Sequence, residues 1–106
     1  MEKEEAFFHE LREQVIAAHD GAHAGTMMGL TGIQYNKKNF TFYYRKGVAF
    51  RTGRDFEPES EGIHDYDLLN PFKNKPPLKD WFVMGVAYQD KWPLLVEIAL
   101  QKIKKE

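Results

Sequence analysis

The chain lacks residues on which several classes of protein depend. It contains no cysteine, which excludes disulfides, thiol nucleophiles and cysteine-ligated zinc. Its only serine, Ser60, lies in an acidic stretch, a poor setting for an activated nucleophile. No apolar run approaches the roughly 18 residues that a membrane span needs, and the charged first 20 residues are unlike a secretory signal. We therefore expect a soluble, cytoplasmic protein with no cofactor and no membrane contact.

An excess of charge of either sign is also missing. Lysine and arginine number 15 and aspartate and glutamate 16, so the net charge is −1. This balance produces no overall field that would attract nucleic acid or acidic lipid. With 106 residues, 42% hydrophobic and 14% aromatic, the chain is long enough for one domain, residues 1–106, with a single two-layer core.

Both ends of the chain have the pattern of amphipathic helices. The first covers residues 3–19 and is followed by Gly21, a suitable helix terminator. The second begins at Asp90, a suitable N-cap, and has Pro93 in its first turn. The apolar stripes are Phe7, Phe8, Leu11, Val15 and Ala18 in the first helix and Trp92, Leu95, Val96, Ala99 and Ile103 in the second.

Two apolar residues of the second helix fall outside its stripe. Leu94 and Ile98 lie on the opposite side of the helical wheel, where an ordinary surface helix is polar. They therefore need another neighbour. A homodimer contact and burial beneath the loop at residues 55–79 are both compatible with the sequence.

Between the helices, residues 33–51 have the alternation of three half-buried strands joined by polar turns. The turns fall at residues 36–39 and at Lys46-Gly47, where glycine can adopt a positive φ. The alternation predicts one face made of Ile33, Tyr35, Phe40, Phe42, Tyr44, Val48 and Phe50, and another made of Gln34, Thr41, Tyr43, Arg45 and Arg51.

Further extended segments follow. We expect an irregular edge strand near residues 69–73, a proline-rich loop after it, and a strand from Asp80 to Tyr88 that is apolar on both sides and contains Trp81. The sequence therefore predicts a two-layer α+β fold, with an antiparallel sheet of about five strands packed against N- and C-terminal helices.

Charge is separated along the middle of the chain. From Lys37 to Arg54 there are six basic residues and no acidic one, and from Asp55 to Asp67 six acidic residues and no lysine or arginine. The simpler interpretation is an acidic loop or short helix that folds back beside basic strand ends. The alternative is a sheet face carrying Tyr43, Arg45 and Arg51 that binds single-stranded nucleic acid, although the neutral total charge makes nucleic acid unlikely.

Catalytic and metal-binding patterns are weak. The sequence has no phosphate-binding glycine loop, no zinc motif on a helix and no nucleophile elbow. His19 and His23 are four residues apart, but Gly21 lies between them, which favours an exposed helix end over a metal site. Asp65 and Asp67 point apart if they lie on a strand. We therefore expect no enzyme activity; a small-molecule binder or enzyme with a pocket around Trp81 remains an alternative.

Several short strings, in this order, resemble the N-terminal domain of the TfoX competence-regulator family over about residues 7–104. The strings are Thr26-Met27-Met28-Gly29 before Gly32-Ile33, similar to the family's Met-Phe-Gly-Gly motif, the segment from Asn36 to Phe42, Asn70-Pro71-Phe72, and Leu78-Lys79-Asp80-Trp81 before the closing helix. Met28 stands where the family has phenylalanine, and Leu30 where it has the second glycine.

The resemblance implies a two-layer α+β domain, in agreement with the residue patterns. In longer family members this domain precedes a second, helical domain, and the family brings no catalytic residues, metal or cofactor to these positions. We therefore predict a small non-catalytic interaction or regulatory module with an unidentified protein partner. The candidate contact residues are Tyr43, Arg45, Arg51, Trp81, Leu94 and Ile98.

Overall fold

A computed structural model of the chain describes residues 3–27, 29–70 and 78–105. These residues form two α-helices, six strands and two short 3-10 helices. The elements are α1 (Lys3–Ala18), β1 (Ala22–Met27), β2 (Leu30–Tyr35), β3 (Lys38–Tyr44), β4 (Gly47–Phe50), the 3-10 helix Pro58–Glu61, β5 (Asp67–Leu69), β6 (Leu78–Met84), the 3-10 helix Val86–Lys91 and α2 (Trp92–Lys104).

The strands form one antiparallel sheet in the order β1-β2-β3-β4-β6-β5, with α1 and α2 packed on it. The predicted α+β class is therefore confirmed, but the sheet has six strands rather than about five. The additional strand is β1, in a segment where the sequence pattern predicts no strand. Its residues are Ala-His-Ala-Gly-Thr-Met, which are poor in β-branched and aromatic side chains. It forms because all six of its residues pair with β2.

The boundaries of the later elements also differ from the sequence pattern. β6 ends at Met84 rather than continuing to Tyr88, because a 3-10 helix follows Gly85. Because this 3-10 helix includes Asp90, the expected N-cap, α2 begins later, at Trp92. The N-cap residue of α2 is Lys91, which makes no side-chain capping hydrogen bond. β5 ends at Leu69, so only the start of the expected edge strand at 69–73 is seen. Residues 71–77, including the proline-rich loop, lie outside the described part of the chain.

The main core lies between the helices and one face of the sheet. Phe8 of α1 and Trp92 of α2 are fully buried, and the ring of Phe7 meets Trp92 edge-on at 5.8 Å. Each fully buried large apolar side chain contributes about 1.5–3 kcal/mol of transfer free energy, so this cluster is the principal source of stability. Its buried members are Phe8, Leu11, Val15, Ala22, Ile33, Phe40, Val48, Phe50, Ile63, Phe82, Met84, Trp92, Leu95, Val96, Ala99, Leu100 and Ile103.

A β-bulge in β3 changes which residues face this core. Ile33 pairs with Thr41, but the next residue of β2, Gln34, pairs with Asn39, so Phe40 is an extra residue on β3. An extra residue reverses the sides taken by all later side chains of a strand. The predicted faces are therefore wrong for residues 41–44 of β3, whereas Val48 and Phe50 of β4 lie on the helix side with Ile33, as predicted.

The residues that follow the bulge build a second, smaller cluster. Phe42 and Tyr44 pack with Ala49 and Trp81 on the sheet face away from the helices, while Tyr43 packs against the main core. The cluster contains no residue of α1 or α2. Phe42 and Ala49 are nevertheless completely buried, so both faces of the central strands are apolar.

Candidate functional site

Tyr43 does not lie on an accessible sheet face. It is half-buried against the main core, and its ring centroid is 6.2 Å from that of Phe8 in α1. The bulge at Phe40 is the reason, since it turns Tyr43 towards the helices. Tyr43 is therefore a packing residue, and the predicted surface of Tyr43, Arg45 and Arg51 loses its aromatic member.

Arg45 is a turn residue rather than a strand residue. With Lys46 it forms the two-residue loop between β3 and β4, and both have positive φ values, 48° and 64°. This is the geometry of a type I′ hairpin, whose twist matches that of the strands. The Arg45 guanidinium lies 5.0 Å from the centre of the Tyr44 ring. Arg45 and Arg51 therefore flank opposite ends of β4 and cannot serve one compact site.

The structure does bring together Arg51 and Trp81, which are 30 residues apart in the sequence. They line an open groove of about 700 Å³ at the end of the sheet where β4 leaves and β6 enters. A depression of about 340 Å³ adjoins it and shares Arg51, Arg54 and Asp80. The residues of the two are Asn39, Arg51, Gly53, Arg54, Asp55, Leu78, Lys79, Asp80, Trp81 and Lys102. We call this combined surface the basic groove.

The basic groove carries a local excess of positive charge although the whole chain does not. Its basic side chains are Arg51, Arg54, Lys79 and Lys102, and its described carboxylates are Asp55 and Asp80. Arg54 donates a hydrogen bond from Nε to Asp80 Oδ1 at 3.1 Å, which reduces the negative charge that Asp80 presents. The groove therefore has two more basic side chains than carboxylates, and an anionic group complements this charge.

Gly53 holds the two sides of the basic groove together. Its backbone N–H donates to the Asp80 carbonyl oxygen at 3.0 Å, which ties the segment after β4 to β6. Its φ of +94° is open to glycine and strained for other residues. A Cβ there would lie 3.0 Å from Cε of Lys102, so the absence of a side chain also makes room for this lysine.

Trp81 lines the groove, but its ring is buried and offers no surface for stacking. Only 7% of it is exposed, and its ring lies 5.4 Å from that of Phe42. Base stacking on an aromatic ring needs an accessible ring face. The groove also has no histidine or serine among its described residues, and its Asp80 carboxylate is occupied by Arg54.

Leu94 and Ile98 are in different environments on α2. Leu94 is 45% exposed, whereas Ile98 is half-buried and packs against the main core. Ile98 also lines a groove of about 390 Å³ together with Thr52 and Gln101. Thr52 is buried, and its hydroxyl has no hydrogen-bond partner among the described residues. Ile98 is thus partly covered by its own chain, and Leu94 is the more accessible of the two.

A third groove, which the sequence did not indicate, lies at the other end of β4. It measures about 800 Å³ and places Arg45 across from Asp65 and Asp67. The acidic stretch thus begins beside the basic groove, through Asp55, and ends beside Arg45. The interpretation of an acidic loop that folds back beside basic strand ends is confirmed. The separation of the basic residues at 37–54 from the acidic residues at 55–67 is the sequence feature that could have indicated this groove.

Side-chain hydroxyls fix the acidic stretch in place. Tyr88 accepts hydrogen bonds from the backbone N–H groups of His64 and Asp65, both at 3.1 Å. The Tyr66 hydroxyl donates to Glu59 Oε2 at 2.7 Å, which lowers the pKa of Glu59 and raises the pKa of Tyr66. The stretch is therefore a folded part of the domain.

The histidines are dispersed. His19 bonds Glu97 Oε1 at 2.8 Å and links the end of α1 to α2, whereas His23 is exposed on β1. Over residues 3–27, 29–70 and 78–105, no group of three histidine, aspartate or glutamate side chains could hold a metal ion. Neither helix in the described segments is long and apolar enough to cross a membrane.

Comparison with known proteins adds no relative. No protein-family model, curated protein or solved structure matches this chain. The resemblance to the TfoX N-terminal domain therefore stays a prediction from the residues, and some of its motifs, at Met28 and at Pro71-Phe72, lie outside the described residues.

Proposed function

We propose that this chain is a small non-catalytic interaction module that binds an acidic segment of a partner protein in the basic groove. The observation that carries the proposal is charge: four basic side chains and two carboxylates line this groove, in a chain whose total charge is −1. A local excess of positive charge attracts and orients an anionic partner without requiring a basic protein.

The sequence favours a regulatory role for this interaction module. The resemblance to the N-terminal domain of TfoX competence regulators supports a domain that acts through protein contacts. The open shape of the groove supports it too, because an extended peptide can lie along such a surface.

The nucleic-acid alternative has less support. Non-specific binding of single strands combines a positive track with exposed aromatic rings on which bases stack. Tyr43 faces the helices and Trp81 is 7% exposed, so neither ring offers this platform. A partner protein with several carboxylates needs only the charges and the shape of the groove.

The proposal is tested by titrating a synthetic deca-glutamate peptide at low salt and following fluorescence anisotropy. Wild-type protein should bind, and binding should weaken as the ionic strength approaches physiological values, where the Debye length is about 8 Å. The double variant Lys79→Glu/Lys102→Glu should bind at least about tenfold more weakly, since exposed charge pairs are worth up to about 1 kcal/mol each.

A matched control is the double variant Lys3→Glu/Lys37→Glu, which makes the same change in net charge at two exposed lysines outside the groove. It should bind the peptide like the wild type. If the wild-type protein does not bind the deca-glutamate peptide at low salt, the proposal is wrong. Tighter binding of a single-stranded oligonucleotide, with a steep salt dependence, would favour the nucleic-acid alternative.

A homodimer through the outer side of α2 is a second candidate. Leu94, a large aliphatic residue 45% exposed on that side, is the observation that favours it. Ile98 extends this apolar surface by one helical turn, although part of it already packs on its own core.

Sedimentation velocity over a range of concentrations tests the homodimer. Leu94→Asp should give a folded monomer, because Leu94 is not a core residue and its change should leave the fold intact. Ile98→Asp is the companion variant: an unfolded product would indicate that Ile98 serves mainly the core. A wild-type protein that remains monomeric at every concentration would exclude this dimer.

A further inference from the structure

Strand β1 forms one edge of the sheet and is accessible. It pairs with β2 alone in the strand order, and its residues His23, Ala24 and Thr26 are exposed. One of its backbone acceptors is occupied, since the Thr26 carbonyl oxygen accepts a hydrogen bond from the Asn39 amide at 3.4 Å. Otherwise the outer side of β1 faces no strand of the described chain.

The two edges of the sheet differ in how they are protected against pairing. The opposite edge, β5, has only three residues, starts at the charged Asp67 and has a register shift between Leu68 and Leu69. Shortness, charge and irregularity are the devices by which natural edge strands avoid further pairing. β5 therefore has three of these protections.

β1 has none of them. Its six residues pair with β2 in unbroken register, from Ala22 opposite Tyr35 to Met27 opposite Leu30. The strand contains no proline and no lysine, arginine, aspartate or glutamate. A regular, uncharged edge strand of this length is a template for the addition of another strand.

We infer that β1 pairs in antiparallel fashion with β1 of a second copy of this chain. The strand has no lysine, arginine, aspartate or glutamate to repel its own copy, whereas like charges placed opposite each other destabilise a strand pair. Small residues, Ala24 and Gly25, at the middle of the strand allow close approach. A two-fold axis between the two copies of this strand makes the contact self-complementary, as in most homodimers.

The geometry of the sheet defines the register of this dimer. Residues directly opposite each other share a face of the sheet, and Ala24 is opposite the core residue Ile33. When Ala24 lies opposite its own counterpart, both copies keep their helices on the same side. The six-stranded sheets then join into one continuous sheet. This inference does not depend on the basic groove or on the outer side of α2.

The test places a charged residue on the edge strand and measures dimerisation by sedimentation equilibrium. Ala24→Lys puts two like charges opposite each other and should raise the dissociation concentration by about tenfold or more. The control, Ala6→Lys, changes an exposed alanine of α1 to the same residue and should dimerise like the wild type.

Hydrogen exchange of the unmodified chain gives a second measurement if Ala24→Lys folds poorly. Exchange of β1 amides should slow as the protein concentration rises, whereas exchange at the protected edge β5 should not change. A wild-type chain that is monomeric at all concentrations, or β1 amides whose exchange is independent of concentration, overturns the inference. A dimer that Leu94→Asp dissociates and Ala24→Lys leaves intact also overturns it, and assigns the interface to α2.

Discussion

The ring of Phe42 lies 5.4 Å from the ring of Trp81, on the side of the sheet away from both helices. Phe42 is completely buried there, although one sequence pattern places it in the main core with Phe40. The domain thus has apolar packing on both sides of its central strands.

This second cluster should be important for stability. We expect Phe42→Ala to lower the free energy of unfolding by about 3–5 kcal/mol, the usual range for removing a buried phenylalanine side chain. Urea denaturation monitored by circular dichroism measures it. Val86→Ala is the control: Val86 is 49% exposed, and its truncation should change stability by no more than about 0.5 kcal/mol. A loss below 1 kcal/mol for Phe42→Ala would contradict the packing described for this face.

Gly47 should tolerate alanine poorly for a reason unrelated to backbone conformation. A Cβ at Gly47 would lie 2.6 Å from the Met84 carbonyl oxygen, a backbone atom of the neighbouring strand β6. We expect Gly47→Ala to destabilise by about 1–3 kcal/mol, because β4 and β6 would have to move apart. Gly85→Ala is the matched control, since nothing lies within 4 Å of a Cβ there and its φ of −84° suits alanine. Equal melting temperatures for the two variants would count against the close approach.

The turn between β2 and β3 offers a stabilising change. Asn36 and Lys37 have φ values of 49° and 71°, so they form the type I′ loop for which Asn-Gly is the favoured sequence. Lys37→Gly should raise the free energy of unfolding by about 0.5–1 kcal/mol, since glycine removes the left-handed strain. Lys38→Gly removes the same charge one residue later, where the chain is in β3, and should be destabilising. A thermal melt that ranks the two variants in the opposite order would refute this account of the turn.

The Tyr66–Glu59 hydrogen bond should be visible in pH titration. The bond favours the Glu59 carboxylate, so the pKa of Glu59 lies below its ordinary value, and it favours the protonated Tyr66, whose pKa is raised. The Glu59 contribution to stability is present above the pKa it has in the unfolded chain and is lost as the pH falls through the lower folded value. The Tyr66 contribution is present below its unfolded pKa and is lost as the pH rises through the higher folded value.

Tyr66→Phe removes the donor while keeping the ring that packs on Phe82 at 5.6 Å. We expect the pKa of Glu59 to rise towards its ordinary value in this variant, because its largest lowering interaction is removed, as measured by NMR titration of its side-chain carboxyl carbon. A Glu59 pKa that does not change would show that the Tyr66 hydroxyl is not its principal partner.

Much of the fold could be predicted because it depends on local patterns. The helical stripes around Phe8 and Trp92 are set by a period of 3.6 residues, and the structure buries both. The candidate surface was harder to predict. Arg51 and Trp81 do meet in one groove, but Tyr43 and Arg45 could not be placed without knowing where β3 bulges.

The sequence by itself determined the α+β class, the two terminal helices, the central strands and the separation of basic and acidic stretches. These follow from side-chain periodicity and composition, which neighbouring residues encode. The tertiary structure alone decided the sixth strand, the sides taken by residues 41–44 of β3 and the convergence of Lys79 and Lys102 on the basic groove. Each of these depends on pairing between residues distant in sequence: β1 is a strand because β2 completes its hydrogen bonds, and one extra residue in β3 exchanges the two faces.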